Sequence, residues 1–156
     1  MRINVIAKDR EDRPVLLVVG KFHPRKEDDE TLPELLDEMN ARSPAVPFGM
    51  IVDPERSTVI SADRGRASPV LFEFPTEEVL RYYDSEFDDV EPGDAWGYRW
   101  YILGMVEVWI QDLISSWKPG EPPWKEDARR FGLLKALERG SVGGVEDVKA
   151  RDDSLC

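Results

Sequence analysis

A few side chains of this sequence are of types that act as nucleophiles, general bases or metal ligands. His23 is the only histidine, and an imidazole with its ordinary pKa of about 6.5 suits a general base. No cysteine or second histidine stands near it to complete a metal site. Ser61, Ser115 and Ser116 lack the Gly-x-Ser-x-Gly context of a hydrolase nucleophile. Cys156, the only cysteine, is the last residue, and we expect it to be an exposed tail residue.

The tryptophans are a second group of residues with a chemical use. Tryptophans can stack nucleic-acid bases or bind a protein partner, but we favour packing within the core and between helices. If some are exposed, a protein interface is favoured over nucleic acid, because few cations are interleaved with them. An acidic run over 84–94 matches no calcium-loop spacing and predicts a solvated loop. The tryptophans are Trp96, Trp100, Trp109, Trp117 and Trp124.

The charge of the chain disfavours nucleic acid as a partner. The net charge is −11, whereas affinity for DNA comes mostly from neutralising phosphates with basic side chains. Residues 1–26 are the exception, with seven basic and three acidic residues. Lys8, Arg10 and Arg13 in this segment define a candidate nucleic-acid contact, which we call the basic hairpin. A solvated charged turn is the interpretation we favour for it.

Apolar patterns predict the strands and helices that must position these residues. Two strands, INVIAK and PVLLVVGK, form a hairpin, and the second is apolar on both faces, as in a central strand of a covered sheet. A helix begins near Thr31, with Glu34 in capping-box spacing. A second hairpin (FGMIV and STVIS), a strand (PVLFEF) and a helix capped by Thr76 follow. The longest helix is predicted over about 95–117, and a last amphipathic helix over about 126–139.

This order of elements predicts an α/β (α+β) fold, with a single mixed sheet of about five strands flanked by helices and a helical C-terminal part. No linker separates two cores, so residues 1–140 are predicted to form one domain and residues 141–156 a polar, flexible tail. The sequence has no apolar run long enough to cross a bilayer and no signal-peptide core near Met1. With a single cysteine, this predicts a cytoplasmic protein and no membrane partner.

The first hairpin carries a pattern known from nucleases. The letters INVIAKDREDRPVLLVVGK hold a strand, a turn and a buried strand that ends at Lys21, with a helix after it. This text resembles the core of the PD-(D/E)xK restriction-endonuclease-like superfamily, whose bacterial members read approximately PDIVAYD…GKPVLVVEVK. Later segments, from PFGMIVDPERSTVIS to FGLLKALERG, resemble those that follow that core, so the resemblance covers most of the chain. It implies a restriction-endonuclease-like core, a bacterial source and a setting in defence or mobile elements.

The resemblance also implies a chemistry, because two carboxylates in that superfamily hold Mg²⁺ beside the scissile phosphate and a lysine supports the attack. In this chain Asn4 stands at the first acid and Val19 at the second, and Lys21 alone keeps its type. An amide offers one neutral oxygen and valine offers none, whereas Mg²⁺ dehydrates reluctantly even for carboxylates. We therefore expect no catalytic residue, no metal and no cofactor at these relic positions.

Three functions remain as alternatives. The leading hypothesis is a catalytically degenerate nuclease-fold protein that acts through a protein partner or as a homo-oligomer. The second is an active, Mg²⁺-dependent DNA endonuclease whose acids have moved to the following helix, where Glu30, Glu34 and Glu38 are the local options. The third is a non-cleaving nucleic-acid-binding module that uses the basic hairpin.

Overall fold

The computed structural model describes residues 2–22, 30–89 and 95–144. These ranges form a sheet and a set of helices in the order β1, β2, α1, β3, β4, β5, α2, α3, α4, α5, β6, with a 3₁₀ turn before α3. The strands are β1 (Val5–Lys8), β2 (Pro14–Gly20), β3 (Phe48–Val52), β4 (Arg56–Ser61), β5 (Val70–Pro75) and β6 (Ser141–Gly144). The helices are α1 (Thr31–Ala41), α2 (Thr76–Tyr83), α3 (Ala95–Ser115), α4 (Lys125–Arg130) and α5 (Leu133–Leu137), and the 3₁₀ turn is Phe87–Asp89.

The sheet is mixed and has the order β5-β4-β3-β2-β1-β6. The two predicted hairpins are present, because β1 pairs antiparallel with β2 and β3 pairs antiparallel with β4. The β2 and β3 strands run parallel, since α1 crosses over between them and returns the chain to the same end of the sheet. The structure thus confirms an α+β fold with a single mixed sheet flanked by helices.

Both faces of the sheet are covered. On one face, Leu35 and Met39 of α1 pack with Leu17 and Val19 of β2. On the other face, the helices α2 to α5 pack on the sheet around Trp109 of α3, which is fully buried. The interior residues of β2 are buried whichever face they point to, so the doubly apolar pattern of this strand correctly predicted a central position.

Gly49 of β3 sets how closely α1 approaches the sheet. A Cβ atom at this position would lie 2.7 Å from Met39 Sδ, 3.0 Å from Leu35 Cδ2 and 3.1 Å from Ile60 Cγ1. These separations are shorter than ordinary van der Waals contact, so the side chains of Met39, Leu35 and Ile60 would have to move to admit any larger residue. Because Gly49 has no side chain, α1 can pack closely on this face of the sheet and cover Val19 of β2.

The sixth strand differs from the sequence prediction of about five. Ser141–Gly144, predicted to begin a flexible tail, forms β6 and pairs antiparallel with β1 from Lys8 to Val5. The segment is short and contains two glycines, so its own side chains give almost no strand signal. Its backbone hydrogen bonds with β1 stabilise it instead. The remaining residues of the predicted tail, 145–156, lie outside the described residues.

The helix ends differ in detail from the prediction. Thr31 and Thr76 are the first residues of α1 and α2 rather than their caps, and the N-cap positions are held by Glu30 and Pro75 without a capping side chain. Thr76 Oγ1 instead donates to the Asp53 carbonyl oxygen at 2.8 Å and accepts from Ser57 Oγ at 2.8 Å. Thr76 therefore ties α2 to the end of the β3–β4 hairpin.

The predicted last helix is divided into α4 and α5. Gly132 between them has a φ of 87°, which glycine adopts without strain and which ends the first helix. None of the helices within the described residues is long and apolar enough to cross a membrane.

Candidate functional site

Asn4, at the first relic position, serves the backbone of the sheet. Its side chain is 3% exposed, and Asn4 Oδ1 accepts a hydrogen bond of 2.6 Å from the Gly20 backbone N–H. Its own N–H donates to the Val18 carbonyl oxygen at 2.9 Å. The amide thus continues the β1–β2 pairing past the last strand residue. Its side-chain oxygen therefore serves the backbone of β2.

Val19 and Lys21, the other two relic positions, lie at the end of β2. Val19 is 7% exposed and packs with Leu17, Leu35 and Met39 beneath α1. Its side chain contributes to the core and offers no oxygen to an ion. Lys21 follows the strand, and its backbone N–H donates to the Val52 carbonyl oxygen at 2.7 Å, which extends the parallel β2–β3 pairing by one residue.

The three acids considered as replacements lie along α1. Glu30 precedes the helix and is exposed, and Glu34 is exposed on its first turn. Glu38 forms an ion pair of 3.3 Å with Arg42 one turn further on. Among the described residues there is no group of three or more His, Cys, Asp or Glu side chains placed to hold a metal ion. His23 and Cys156 lie outside the described residues.

Two of the three side chains of the basic hairpin, Lys8 and Arg13, pair with acids of the same turn. Arg13 pairs with Asp9 at 3.1 Å and with Glu11 at 2.6 Å, and Lys8 lies 3.7 Å from Asp12. The Arg13 backbone N–H, joined by the Glu11 N–H and the Arg13 charge, lowers the pKa of Asp9 and so keeps it ionised. The hairpin tip therefore presents alternating charges to solvent rather than a positive surface.

Among the tryptophans whose side chains the structure describes, Trp109 is buried, Trp124 is partly buried against the core, and Trp100 and Trp117 are exposed. Trp109 is fully buried, and its Nε1–H donates to the Pro123 carbonyl oxygen at 2.7 Å. Trp124 stacks on Phe74 with ring centroids 5.6 Å apart. Trp100 and Trp117 are 48% and 52% exposed. The predicted core role is thus confirmed for Trp109 and Trp124 alone, and the side chain of Trp96 lies outside the described residues.

The exposed face of α3 forms a groove with the edge of the sheet. Residues Trp100, Gly104, Val108 and Gln111 share one stripe of the helix, because they are spaced three or four apart. A cleft of about 420 Å³ opens beside this stripe and reaches β6. We call it the α3 groove, and it is lined by Gly104, Glu107, Val108, Gln111, Trp117 and Val142.

Trp117 packs against a polar cluster in which Asp112 is buried and Tyr83 is partly buried. Its ring lies 6.0 Å from that of Tyr83, whose hydroxyl donates to Asp112 Oδ2 at 2.6 Å. Asp112 is fully buried in α3 and also accepts the Lys118 backbone N–H at 3.3 Å. Burial, followed by the Asp112 hydrogen bond and charge, raises the pKa of Tyr83 well above its usual range.

Lys118 completes this cluster on the side of α2. Its Nζ donates to the Tyr82 carbonyl oxygen at 2.8 Å and lies 3.8 Å from the centroid of the Tyr82 ring. The cation–π contact and the hydrogen bond fix the chain directly after Trp117. Contacts within the chain therefore position the part of the α3 groove that Trp117 forms.

The sequence named Trp117 but missed the rest of this surface. Asp112 lies between Ile110 and Leu113 in the sequence. A carboxylate among the buried apolar residues of a helix indicates that hydrogen-bond donors lie beside it in the fold. Val142 carries no such signal, because its position depends on pairing with Ala7 of β1. The apolar residues of α3 are also spread around the helix more widely than a single buried stripe requires.

No family model, curated protein or solved structure matches the chain. The resemblance to restriction-endonuclease-like proteins is therefore still a prediction, carried by the residues of the first hairpin and the segments after it. The α3 groove and the relic positions are interpreted from their own geometry.

Proposed function

We propose that this chain is a protein-interaction domain, a catalytically degenerate relative of restriction-endonuclease-like proteins that binds a partner through the exposed face of α3. The observation that carries the proposal is the exposure of two tryptophans: Trp117 lines the α3 groove, and Trp100 lies on the same stripe of α3 as Gly104 and Val108. Half-exposed tryptophans beside an apolar cleft are typical of protein-binding surfaces, where tryptophan is among the residues that contribute most to affinity.

The composition of the groove supports a protein partner. Val108, Val142 and Trp117 supply apolar surface, and Glu107 and Gln111 lie beside them as hydrogen-bonding groups. An apolar centre with a polar rim is the usual anatomy of a protein interface. Because Trp117 is packed on Tyr83, little side-chain entropy is lost when a partner covers it.

The relic positions support the absence of cleavage in this proposal. Asn4 Oδ1 accepts the Gly20 N–H, and Val19 packs beneath α1. Rebuilding a metal site here would break that hydrogen bond and open the core on the α1 face. Each acid on α1 would also have to leave a solvated position or, for Glu38, its ion pair with Arg42.

Affinity enrichment from an extract of the source cells tests the proposal. We expect a partner that is retained by the wild-type chain and lost, by about tenfold or more, when Trp100→Ala and Trp117→Ala are combined. Glu34→Ala, an exposed change on α1 behind the opposite face of the sheet, is the control and should retain the partner. Equal recovery with the double variant, or no specific partner at all, contradicts the proposal, provided that circular dichroism shows each variant folded.

A further inference from the structure

The β6 strand ends the sheet next to the α3 groove. It pairs with β1, and the described residues place no strand on its other side. Alternate residues of a strand point their N–H and C=O groups to the same side, so about half of those in β6 face away from β1. Natural edge strands are commonly protected by lysine, proline or a bulge. The four residues of β6 include no charged residue and no proline.

A cleft lies on each side of this edge. Val142 pairs with Ala7 and faces the α3 groove, whereas Ser141 and Gly143 pair with Lys8 and Ile6, which point to the other face of the sheet. There a second cleft of about 370 Å³ runs along β6. We call it the β6 cleft, and it is lined by Ile6, Lys8, Asp12, Ser141, Val142, Gly143 and Gly144.

We propose that β6 accepts an extended, cationic segment of a partner protein as a seventh strand of the sheet. This inference deepens the proposed function and rests on it. Successive side chains of an added strand point to opposite faces, so one set enters the α3 groove and the other enters the β6 cleft. Backbone hydrogen bonds to β6 supply affinity, and the two clefts select the side chains, as in other cases of strand addition.

Charge identifies the occupant as basic. The chain carries −11 overall, and residues 145–156, directly after β6, include four acidic and two basic residues. Glu107 lines the α3 groove. In the β6 cleft Asp12 lies 3.7 Å from Lys8, so this pair adds no net charge there. This field attracts a cationic segment and speeds its encounter with the edge. It also opposes pairing of β6 with β6 of a second copy, because both copies carry the same −11.

Titration with synthetic peptides tests strand addition on the full chain. The probe is a ten-residue peptide of alternating valine and lysine, and the comparators are alternating valine and glutamate and a fully N-methylated form of the probe. We expect the largest amide shifts in ¹⁵N spectra at Ser141–Gly144 and along the α3 groove. Fluorescence anisotropy should give at least tenfold tighter binding for the probe than for either comparator, because the first has the wrong charge and the second cannot donate backbone hydrogen bonds.

A matched pair of glycine variants locates the binding edge. Gly143→Lys adds a cation at β6, where a new Cβ meets nothing within 4 Å, and should weaken binding of the probe about tenfold. Gly65→Lys adds the same charge in the exposed loop between β4 and β5 and should change it less than twofold. Equal effects of the two variants, equal affinity for the N-methylated or glutamate peptide, or shifts confined to other surfaces would overturn strand addition.

Sedimentation separates the remaining outcomes. If the wild-type chain is a dimer that Gly143→Lys dissociates, β6 pairs with a second copy of the chain rather than with a cationic partner. That result would overturn the proposal. If the cellular partner depends on Trp100 and Trp117 but not on Gly143, strand addition fails while the proposed function stands. If no partner depends on the tryptophans, the proposed function itself fails.

Discussion

Asn4 shows how one side chain can serve the backbone pairing of the sheet. Its buried amide oxygen accepts the Gly20 N–H at 2.6 Å, and a buried N–H left without an acceptor costs about 1–3 kcal/mol. The sequence shows an amide at this position, but the hydrogen bond depends on how β1 and β2 pair and could not be deduced from the sequence.

Tyr83 and Asp112 lead to a pH-dependent prediction at the same scale. Because burial and Asp112 raise the pKa of Tyr83 above its unfolded value of about 10, the unfolded chain loses this proton first as the pH rises. The stabilising contribution is therefore complete below pH 10 and decreases above it. For one proton the slope cannot exceed about 1.4 kcal/mol per pH unit. Because Tyr83 is partly exposed, we expect a smaller fall of about 0.5–1 kcal/mol between pH 10 and pH 11.

Urea unfolding at pH 10 and pH 11 measures this effect. We expect the free energy of unfolding to fall less between these two values in Tyr83→Phe than in the wild type, and the variant to be less stable at pH 8, where Asp112 has lost its donor. Tyr82→Phe is the control, because it leaves the Tyr83–Asp112 hydrogen bond in place. Identical pH dependence in wild type and Tyr83→Phe would show that this pair does not contribute.

At the scale of elements, the sequence predicted the strands and helices that depend on the pattern of apolar side chains. It missed the features that depend on backbone pairing or backbone conformation. The two hairpins, the central position of β2 and the helices α1 to α3 follow from apolar periodicity. The β6 strand depends on the backbone of β1, and the break between α4 and α5 depends on the left-handed conformation of Gly132. The α3 groove needs β6 and the end of α3 together, so no local signal could locate it.

Two glycines in these elements should respond to alanine with opposite signs. Gly49→Ala forces a Cβ against α1 and should destabilise the chain by about 1–3 kcal/mol, the usual cost of overpacking. Gly104→Ala adds a methyl with nothing within 4 Å inside α3 and should stabilise it by about 0.4–1 kcal/mol through helix propensity. Denaturant unfolding of both variants checks the signs, and a stable Gly49→Ala chain would mean that α1 is not held as closely as described.

At the scale of the whole molecule, the distribution of charge bears on the two alternatives that involve nucleic acid. The basic excess of residues 1–26 suggested a nucleic-acid contact, but at the hairpin tip Lys8 and Arg13 face Asp12, Asp9 and Glu11. Exposed ion pairs of this kind contribute little to stability. Their effect here is on the surface potential, because a basic side chain with an acid beside it attracts phosphate weakly.

DNA retention and cleavage follow from this charge balance. Binding that depends on phosphate contacts weakens steeply with salt, so the test starts where such binding is strongest, at about 50 mM salt with a short duplex. We expect no retarded band there, and no nicking of plasmid DNA with Mg²⁺ or Mn²⁺, from the wild type or from Lys21→Ala. The informative variants neutralise Lys8, Arg10 and Arg13 together, with Lys125, Arg129 and Arg130 of α4 as a charge-matched control. DNA retention by the wild type that is lost only in the first variant would support the nucleic-acid-binding module. Metal-dependent nicking that Lys21→Ala abolishes would support the endonuclease. Each result would contradict the expectation from charge and packing.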